Sequence, residues 1–77
     1  MKRQTRVTNA IRSLRFTHGE MTQADLAVRI GVTRQTVIAI EKGRYSPSLE
    51  MAFRIARVFG VPLDDVFQYP DSPEETT

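Results

Sequence analysis

The chain has 77 residues, of which 40% are hydrophobic and 26% are charged, and it contains no cysteine and one histidine. This length fits one small domain, and the composition excludes disulfides and a zinc or catalytic cluster, so we expect neither a cofactor nor an enzyme. The net charge of +2 divides into +7 over residues 1–60 and −5 over residues 61–77. A basic body suits a nucleic acid, although an ordinary solvated surface can carry the same charges.

The N-terminal part of the chain predicts one short helix. The basic residues at 1–3 are not followed by an apolar run, so we expect no signal peptide, no membrane span and a cytoplasmic location. A first helix is predicted over residues 8–16, with Ile11 and Leu14 on its inner side. His18 follows in a loop and is expected to be solvated.

Two short helical patterns joined by a glycine come next. The first opens with Thr22 and Asp25 at the spacing of a capping box. Its apolar residues fall on one side: Leu26, Ala27 and Ile30. Gly31 ends this helix, because glycine adopts the left-handed conformation without a Cβ clash, and Thr33 can cap the next. The second pattern predicts a helix over residues 34–42, with Gly43 as its stop.

The spacing of three residues distinguishes this pair from other helical hairpins. Ala27 allows a close crossing, Gly31 makes the turn, and Val37 enters the shared core from the second helix. A short glycine-containing turn between two steeply inclined helices is typical of the helix-turn-helix that reads the DNA major groove. An ordinary helical hairpin is the alternative interpretation.

The C-terminal half predicts two more helices. Ser48 caps a fourth helix that Gly60 closes. Its predicted inner residues are Leu49, Ala52, Phe53, Ala56 and Phe59. A fifth short helix is predicted over residues 62–67, and the acidic residues 70–77 have nothing to bury and are expected to be disordered.

The chain resembles the phage-repressor-like helix-turn-helix proteins, also called the XRE family, over residues 11–67. Five segments carry the resemblance: TQADLA at 22–27, TRQTV at 33–37, IEKGR at 40–44, PSL at 47–49 and PLDDVF at 62–67. The resemblance implies an all-α, lambda-repressor-like domain of five short helices over residues 1–69. In similar minimal members the chain ends pair as a small sheet, so residues 4–7 are candidates to pair with residues 67–69.

The third helix is the predicted reading helix. Its predicted base-contacting residues lie away from the core: Arg34, Gln35, Thr36, Ile38 and Ala39. Arg34 can pair with guanine and Gln35 with adenine, whereas Ile38 offers apolar contact to thymine methyl groups. Packing of Ile38 onto the loop near Tyr45 is the alternative, and solvated polar side chains are the alternative for the others.

Contacts to the DNA backbone are predicted at the ends of the pair. The candidate residues are Gln23, Thr33, Lys42 and Arg44. The resemblance assigns phosphate contact to Gln23, which also lies beside the free N–H groups of a helix start. Glu41 opposes the helix dipole and needs a cation. The resemblance implies that Arg15 supplies it, as a structural ion pair.

The resemblance also implies a homodimer. The residues after the fourth helix offer more apolar surface than a small domain can cover: Val61, Leu63, Val66, Phe67 and Tyr69. Completion of the monomer core is the alternative role for them. We therefore predict a sequence-specific regulator of transcription that binds double-stranded DNA, a homodimeric repressor on a palindromic operator. A protein-interaction module, such as an antitoxin-like or coactivator partner, is the alternative, and no small-molecule ligand is evident.

Overall fold

The computed structural model describes residues 5–44 and 46–70. Their elements follow one another in this order: β1 Thr8–Asn9, α1 Ile11–Thr17, α2 Gln23–Ile30, α3 Arg34–Glu41, α4 Leu49–Phe59, α5 Leu63–Val66 and β2 Phe67–Gln68. The five described helices and the small antiparallel sheet confirm the predicted fold class. Within the described ranges no helix combines the length and the apolar character needed to cross a membrane. Of the predicted disordered tail at 70–77, Pro70 is described and exposed, and residues 71–77 lie outside those ranges.

The caps of α2 follow from local chemistry. Thr22 Oγ1 accepts from the backbone N–H of Asp25 at 2.9 Å, and the Asp25 carboxylate accepts from the backbone N–H of Thr22 at 3.2 Å. The hydrogen bond from the Thr22 backbone N–H, and after it the Thr22 hydroxyl, hold the pKa of the Asp25 carboxyl below its ordinary value. Gly31 ends the helix at φ 77°, in the left-handed region that glycine adopts without a Cβ clash.

The helix α1 begins later than predicted. Thr8 and Asn9 do not join it, because they form β1 and pair with Gln68 and Phe67 of β2. The N–H of Ala10 then donates to the carbonyl of Val66 at 2.8 Å, which keeps this segment on the sheet until Ile11. The prediction that residues 4–7 form the paired strand is therefore wrong for the described residues 5–7, because Thr8 and Asn9 form it instead, and Gln4 lies outside the described residues.

The helix α4 has the predicted caps but a different inner face. Ser48 caps it and Gly60 ends it in the left-handed conformation, as the sequence indicates. Its buried residues are Ala52, Ile55, Ala56 and Phe59. The prediction that Leu49 and Phe53 face the core is wrong, because they are 66% and 50% exposed. Leu49 and Phe53 lie roughly 70° and 110° around the helix axis from the centre of the buried stripe. Ile55 lies closer to that centre and is buried instead.

The core is assembled from all five described helices. Its fully buried large side chains are Ile11, Leu26, Ile30, Val37, Ile55 and Val66. Val66 has no exposed surface, so its prediction as a dimer-interface residue is wrong. The isolated protomer already buries it, because α5 packs this side chain against the main cluster.

His18 has a structural role that the sequence does not indicate. His18 lies in the exposed loop after α1, as expected. Its ring nitrogens nevertheless have partners: Nδ1 lies 2.8 Å from the Leu14 carbonyl oxygen, and Nε2 lies 2.9 Å from the Phe59 carbonyl oxygen. The imidazole also packs edge-on against the Phe59 ring, with centroids 5.2 Å apart. His18 thus joins the C-terminal ends of α1 and α4.

Candidate nucleic-acid interface

The helices α2 and α3 form a pair joined by a three-residue turn. The N–H groups of Gly31 and Val32 both donate to the Ala27 carbonyl at 2.9 Å, which closes α2 tightly before α3 begins. Val37 and Ile40 are buried beneath this turn, at 1% and 2% exposure. Because that side of α3 is fixed in the core, its opposite side faces solvent.

The outward side of α3 contains the residues predicted to contact bases. Arg34 and Gln35, in the first turn, are exposed, whereas Thr36, Ile38 and Ala39 are half-buried. The Thr36 hydroxyl lies 3.0 Å from that of Thr33. Tyr45, the alternative packing partner of Ile38, lies outside the described residues. Two long polar side chains are thus exposed at the start of the helix.

The residues predicted to contact phosphates lie at the ends of the pair, with one difference from expectation. Thr33 caps α3 by accepting from the N–H of Thr36 at 3.2 Å, and Lys42 and Arg44 are exposed beyond its C-terminal end. Gln23 is half-buried, because its Nε2 donates to Glu41 Oε1 at 3.2 Å. Its second amide hydrogen and its amide oxygen remain for another partner.

Arg15 and Glu41 form a two-pronged ion pair beneath this surface. Arg15 Nε donates to Glu41 Oε2 at 2.7 Å and Nη2 donates to Oε1 at 3.2 Å, with side-chain exposures of 15% and 10%. The remaining Arg15 nitrogen donates to the Met21 carbonyl at 2.9 Å. The guanidinium therefore compensates the acid at the end of α3 and fixes α1 against both helices of the pair.

Comparison with known proteins agrees with this geometry. The model of the family described as Helix-turn-helix matches residues 11–66. The chain belongs to the helix-turn-helix family of transcriptional regulators. An uncharacterised HTH-type transcriptional regulator of Methanocaldococcus jannaschii is 54% identical over 82% of this chain and 94% of that protein. The CTXphi cryptic phage transcriptional repressor RstR of Vibrio cholerae is 37% identical over 77% of this chain and 52% of that protein.

A solved structure shows the same fold at much lower identity. The crystal structure of a Bacteroides fragilis protein described as DNA-binding superposes with a TM-score of 0.69 and 21% identity. It covers 80% of this chain and 98% of its own. At this identity the likeness concerns the fold alone.

Asn9 connects two helices of this helix-turn-helix domain, a role that the sequence does not predict. Its Nδ2 donates to the Ile40 carbonyl at 3.0 Å and lies 3.4 Å from the Glu41 carbonyl, while its Oδ1 accepts from the N–H of Ile11 at 3.1 Å. One amide thus caps the start of α1 and the end of α3. A polar residue just before an apolar helix start signals the first contact, but only the fold reveals the second.

A cleft opens between α1 and the helix-turn-helix pair. Its volume is about 770 Å³, and it is open to solvent on one side. The residues around it include Arg12, Phe16, Gln23, Arg34, Glu41 and Lys42. The cleft therefore joins the start of α2, both ends of α3 and one side of α1 in a single concave surface.

Proposed function

We propose that this helix-turn-helix regulator binds double-stranded DNA sequence-specifically, as a homodimeric cytoplasmic repressor on a palindromic operator. One observation carries the DNA-reading part of the proposal: Arg34 and Gln35 are exposed in the first turn of α3, while Val37 and Ile40 fix the other side of that helix in the core. Docking of such a helix in the major groove brings its N-terminal residues to base edges.

Each outward residue of α3 has a chemistry that suits base edges. The Arg34 guanidinium can donate twice to guanine, and the Gln35 amide can donate to and accept from adenine. The half-buried Ile38 and Ala39 present apolar surface suited to thymine methyl groups, and the Thr36 hydroxyl can pair with any base. We therefore assign sequence reading to these side chains.

The ends of the pair suit the sugar–phosphate backbone. Lys42 and Arg44 are exposed cations beyond α3, and Thr33 lies at its N-terminal cap. Gln23 begins α2, and the bond from its amide to Glu41 holds the side chain at this surface with one N–H unused. Contacts of this kind set the position of a protein on the duplex and are independent of sequence.

The homodimer is supported by apolar surface at the C-terminal end of the fold. Leu63 and Phe67 line an open apolar groove of about 300 Å³ together with Leu49. Phe53 and Tyr69 are 50% and 62% exposed. Burial of such side chains against a second copy is favourable because it removes apolar area from water. The interface that we propose consists of the groove residues Leu49, Leu63 and Phe67, rather than the buried Val66, together with the half-buried Val61 and the exposed Tyr69.

A two-fold dimer explains why the operator is proposed to be palindromic. Symmetric docking sets two copies of α3 about 34 Å apart, one turn of duplex, and each copy then reads the same half-site. Repression is supported by the name of the similar Vibrio cholerae protein, a transcriptional repressor. Occupation of a promoter by such a dimer blocks transcription without any further domain.

A second candidate function rests on the same groove. The groove residues Leu49, Leu63 and Phe67 can equally bind an apolar segment of a different protein, as in an antitoxin-like or coactivator module. In that case the chain sediments as a monomer, and its DNA affinity is weak and independent of sequence.

Selection of bound sequences from a random duplex pool tests the proposed function. The purified intact chain is expected to enrich an inverted repeat whose half-site centres are about one helical turn apart. Enrichment of no common sequence contradicts sequence-specific binding. Enrichment of a single, unrepeated site contradicts the dimer.

A further inference from the structure

Asn9 joins two surfaces of the molecule through its backbone and its side chain. Its backbone pairs with Phe67 in the antiparallel sheet, and Phe67 lines the apolar groove. Its side-chain Nδ2 donates to the Ile40 carbonyl at 3.0 Å and lies 3.4 Å from the Glu41 carbonyl. One residue thus contacts both the strand beside the proposed dimer interface and the C-terminal end of α3.

The partners of the Asn9 side chain determine its orientation. Two of them are carbonyl oxygens, which only accept, and the third is the N–H of Ile11, which donates to Oδ1 at 3.1 Å. An amide turned the other way would place its oxygen against the carbonyl oxygens of α3. The residue is also half-buried. Asn9 is therefore a short, oriented link between the sheet and α3.

The sheet end of this link is held in place by the core. The N–H of the next residue, Ala10, donates to the Val66 carbonyl at 2.8 Å, and the Val66 side chain has no exposed surface. A movement of β1 relative to α5 would break this hydrogen bond and disturb a buried side chain. The position of Asn9 consequently follows that of the C-terminal segment that forms part of the groove.

The link bears on the geometry of the dimer because α3 is short. The helix has 8 residues, so its two ends lie roughly 12 Å apart. A shift of the C-terminal end therefore changes where Arg34 and Gln35 lie at the other end. In a two-fold dimer the separation of the two copies of α3 depends on the path from the interface to each helix. Asn9 lies on that path, between β2 and α3.

We propose that Asn9 is a positioning residue that sets the separation of the two reading helices in the dimer and so selects one spacing between operator half-sites. The inference rests on the proposed function, since the dimer and the palindromic operator belong to it. Asn9 contacts no base in this role and acts through the carbonyls at the end of α3. It controls the preference for half-site spacing rather than the base preference within a half-site.

Two duplexes test this role: the selected inverted repeat, and the same repeat with one base pair inserted between its half-sites. The ratio of the two affinities measures the spacing preference, and it is determined well below the melting temperature of each protein. Asn9→Ser and Asn9→Asp keep an oxygen that can accept from the Ile11 N–H. Serine is too short to reach α3, and an ionised aspartate has no hydrogen to donate. In both variants the ratio is expected to fall by about 2-fold to 10-fold, the range that one hydrogen bond contributes.

His18→Ala is the matched control. His18 also joins two helices through backbone carbonyls, those of Leu14 and Phe59, but it connects α1 with α4 and makes no contact with α3. Its loss is expected to lower the melting temperature and to leave the ratio at the parental value.

The outcomes separate the inference from the proposed function. Parental ratios in both Asn9 variants, with or without a lower melting temperature, overturn the inference while the proposed function stands. An equal fall of the ratio in His18→Ala also overturns it, because the effect is then one of stability. A parent that binds the two duplexes equally well contradicts the proposed palindromic dimer, and the inference with it.

Discussion

At the scale of single residues, Glu41 connects α1, α2 and α3. Its carboxylate accepts from Arg15 of α1 and from Gln23 of α2, and its backbone carbonyl lies next to the Asn9 amide. The sequence predicts the need for a cation, because an acid in the last turn opposes the helix dipole. The bond to Gln23 depends on how α2 and α3 cross, and no local pattern indicates it.

Replacement Glu41→Gln is expected to lower the free energy of unfolding by about 1–3 kcal/mol. The amide keeps the shape of the side chain but leaves the guanidinium of Arg15, which is 15% exposed, without an anion. Thermal or urea unfolding monitored by circular dichroism measures the change.

Glu50→Gln is the control for that experiment. It removes the same charge from the exposed i, i+4 pair of Glu50 and Arg54, whose side chains are 78% and 54% exposed, so a change of at most about 1 kcal/mol is expected. Equal stabilities of the parent and both variants contradict the structural role of the Arg15–Glu41 pair.

At the scale of elements, the sequence predicts what local chemistry determines. The capping box of α2, the caps of α3 and α4 and the left-handed glycines at Gly31 and Gly60 follow from residues within four positions of each other. The strand β1 could not be predicted in register, since its partner β2 lies about 60 residues away. The exposure of Phe53 likewise depends on which stripe of α4 meets the other helices.

The capping box of α2 predicts that the stability of the folded domain depends on pH. The pKa of Asp25 is lowered in the folded state from its ordinary value of 3.8, so its contribution to stability is present above that value. The contribution is lost as the pH falls through the folded pKa, because protonation removes the negative charge that strengthens the hydrogen bond from the Thr22 N–H. Thermal unfolding between pH 2.5 and 6 is expected to show a smaller acid-induced decrease of the melting temperature for Asp25→Asn than for the parent. Parallel pH profiles would show that the carboxylate does not act in this way.

At the scale of the whole molecule, the fold separates two surfaces. The cleft beside the helix-turn-helix pair is lined by more cations than carboxylates, whereas the groove lined by Leu49, Leu63 and Phe67 is apolar. Asn9 links them physically, because it pairs with Phe67 in the sheet and donates to the end of α3. The sequence predicts a DNA-reading surface and an apolar surface. It wrongly assigns the buried Val66 to the apolar surface and the exposed Leu49 to the core.

The apolar groove is expected to determine the oligomeric state. Leu63→Lys and Leu49→Lys place a charge in the proposed interface, and sedimentation at micromolar concentration is expected to change from dimer to monomer. Leu49 is 66% exposed, so its replacement leaves the protomer core intact. Val28→Lys on α2, where Val28 is 81% exposed, is the matched control and is expected to remain dimeric. A monomeric parent, or dimeric groove variants, would exclude this interface.

The reading of DNA by α3 is tested most directly by two affinities, measured for the parent and for each variant at a fixed salt concentration. One is the affinity for the selected operator, and the other is the affinity for a scrambled duplex of the same length and composition. Arg34→Ala and Gln35→Ala are each expected to reduce the ratio of the two affinities by about 5-fold to 150-fold, equivalent to about 1–3 kcal/mol, since each removes one paired contact to a base. Lys42→Ala is expected to weaken both duplexes alike and to leave the ratio near the parental value. A ratio that is unchanged in both the Arg34 and the Gln35 variants would contradict the reading of DNA by α3.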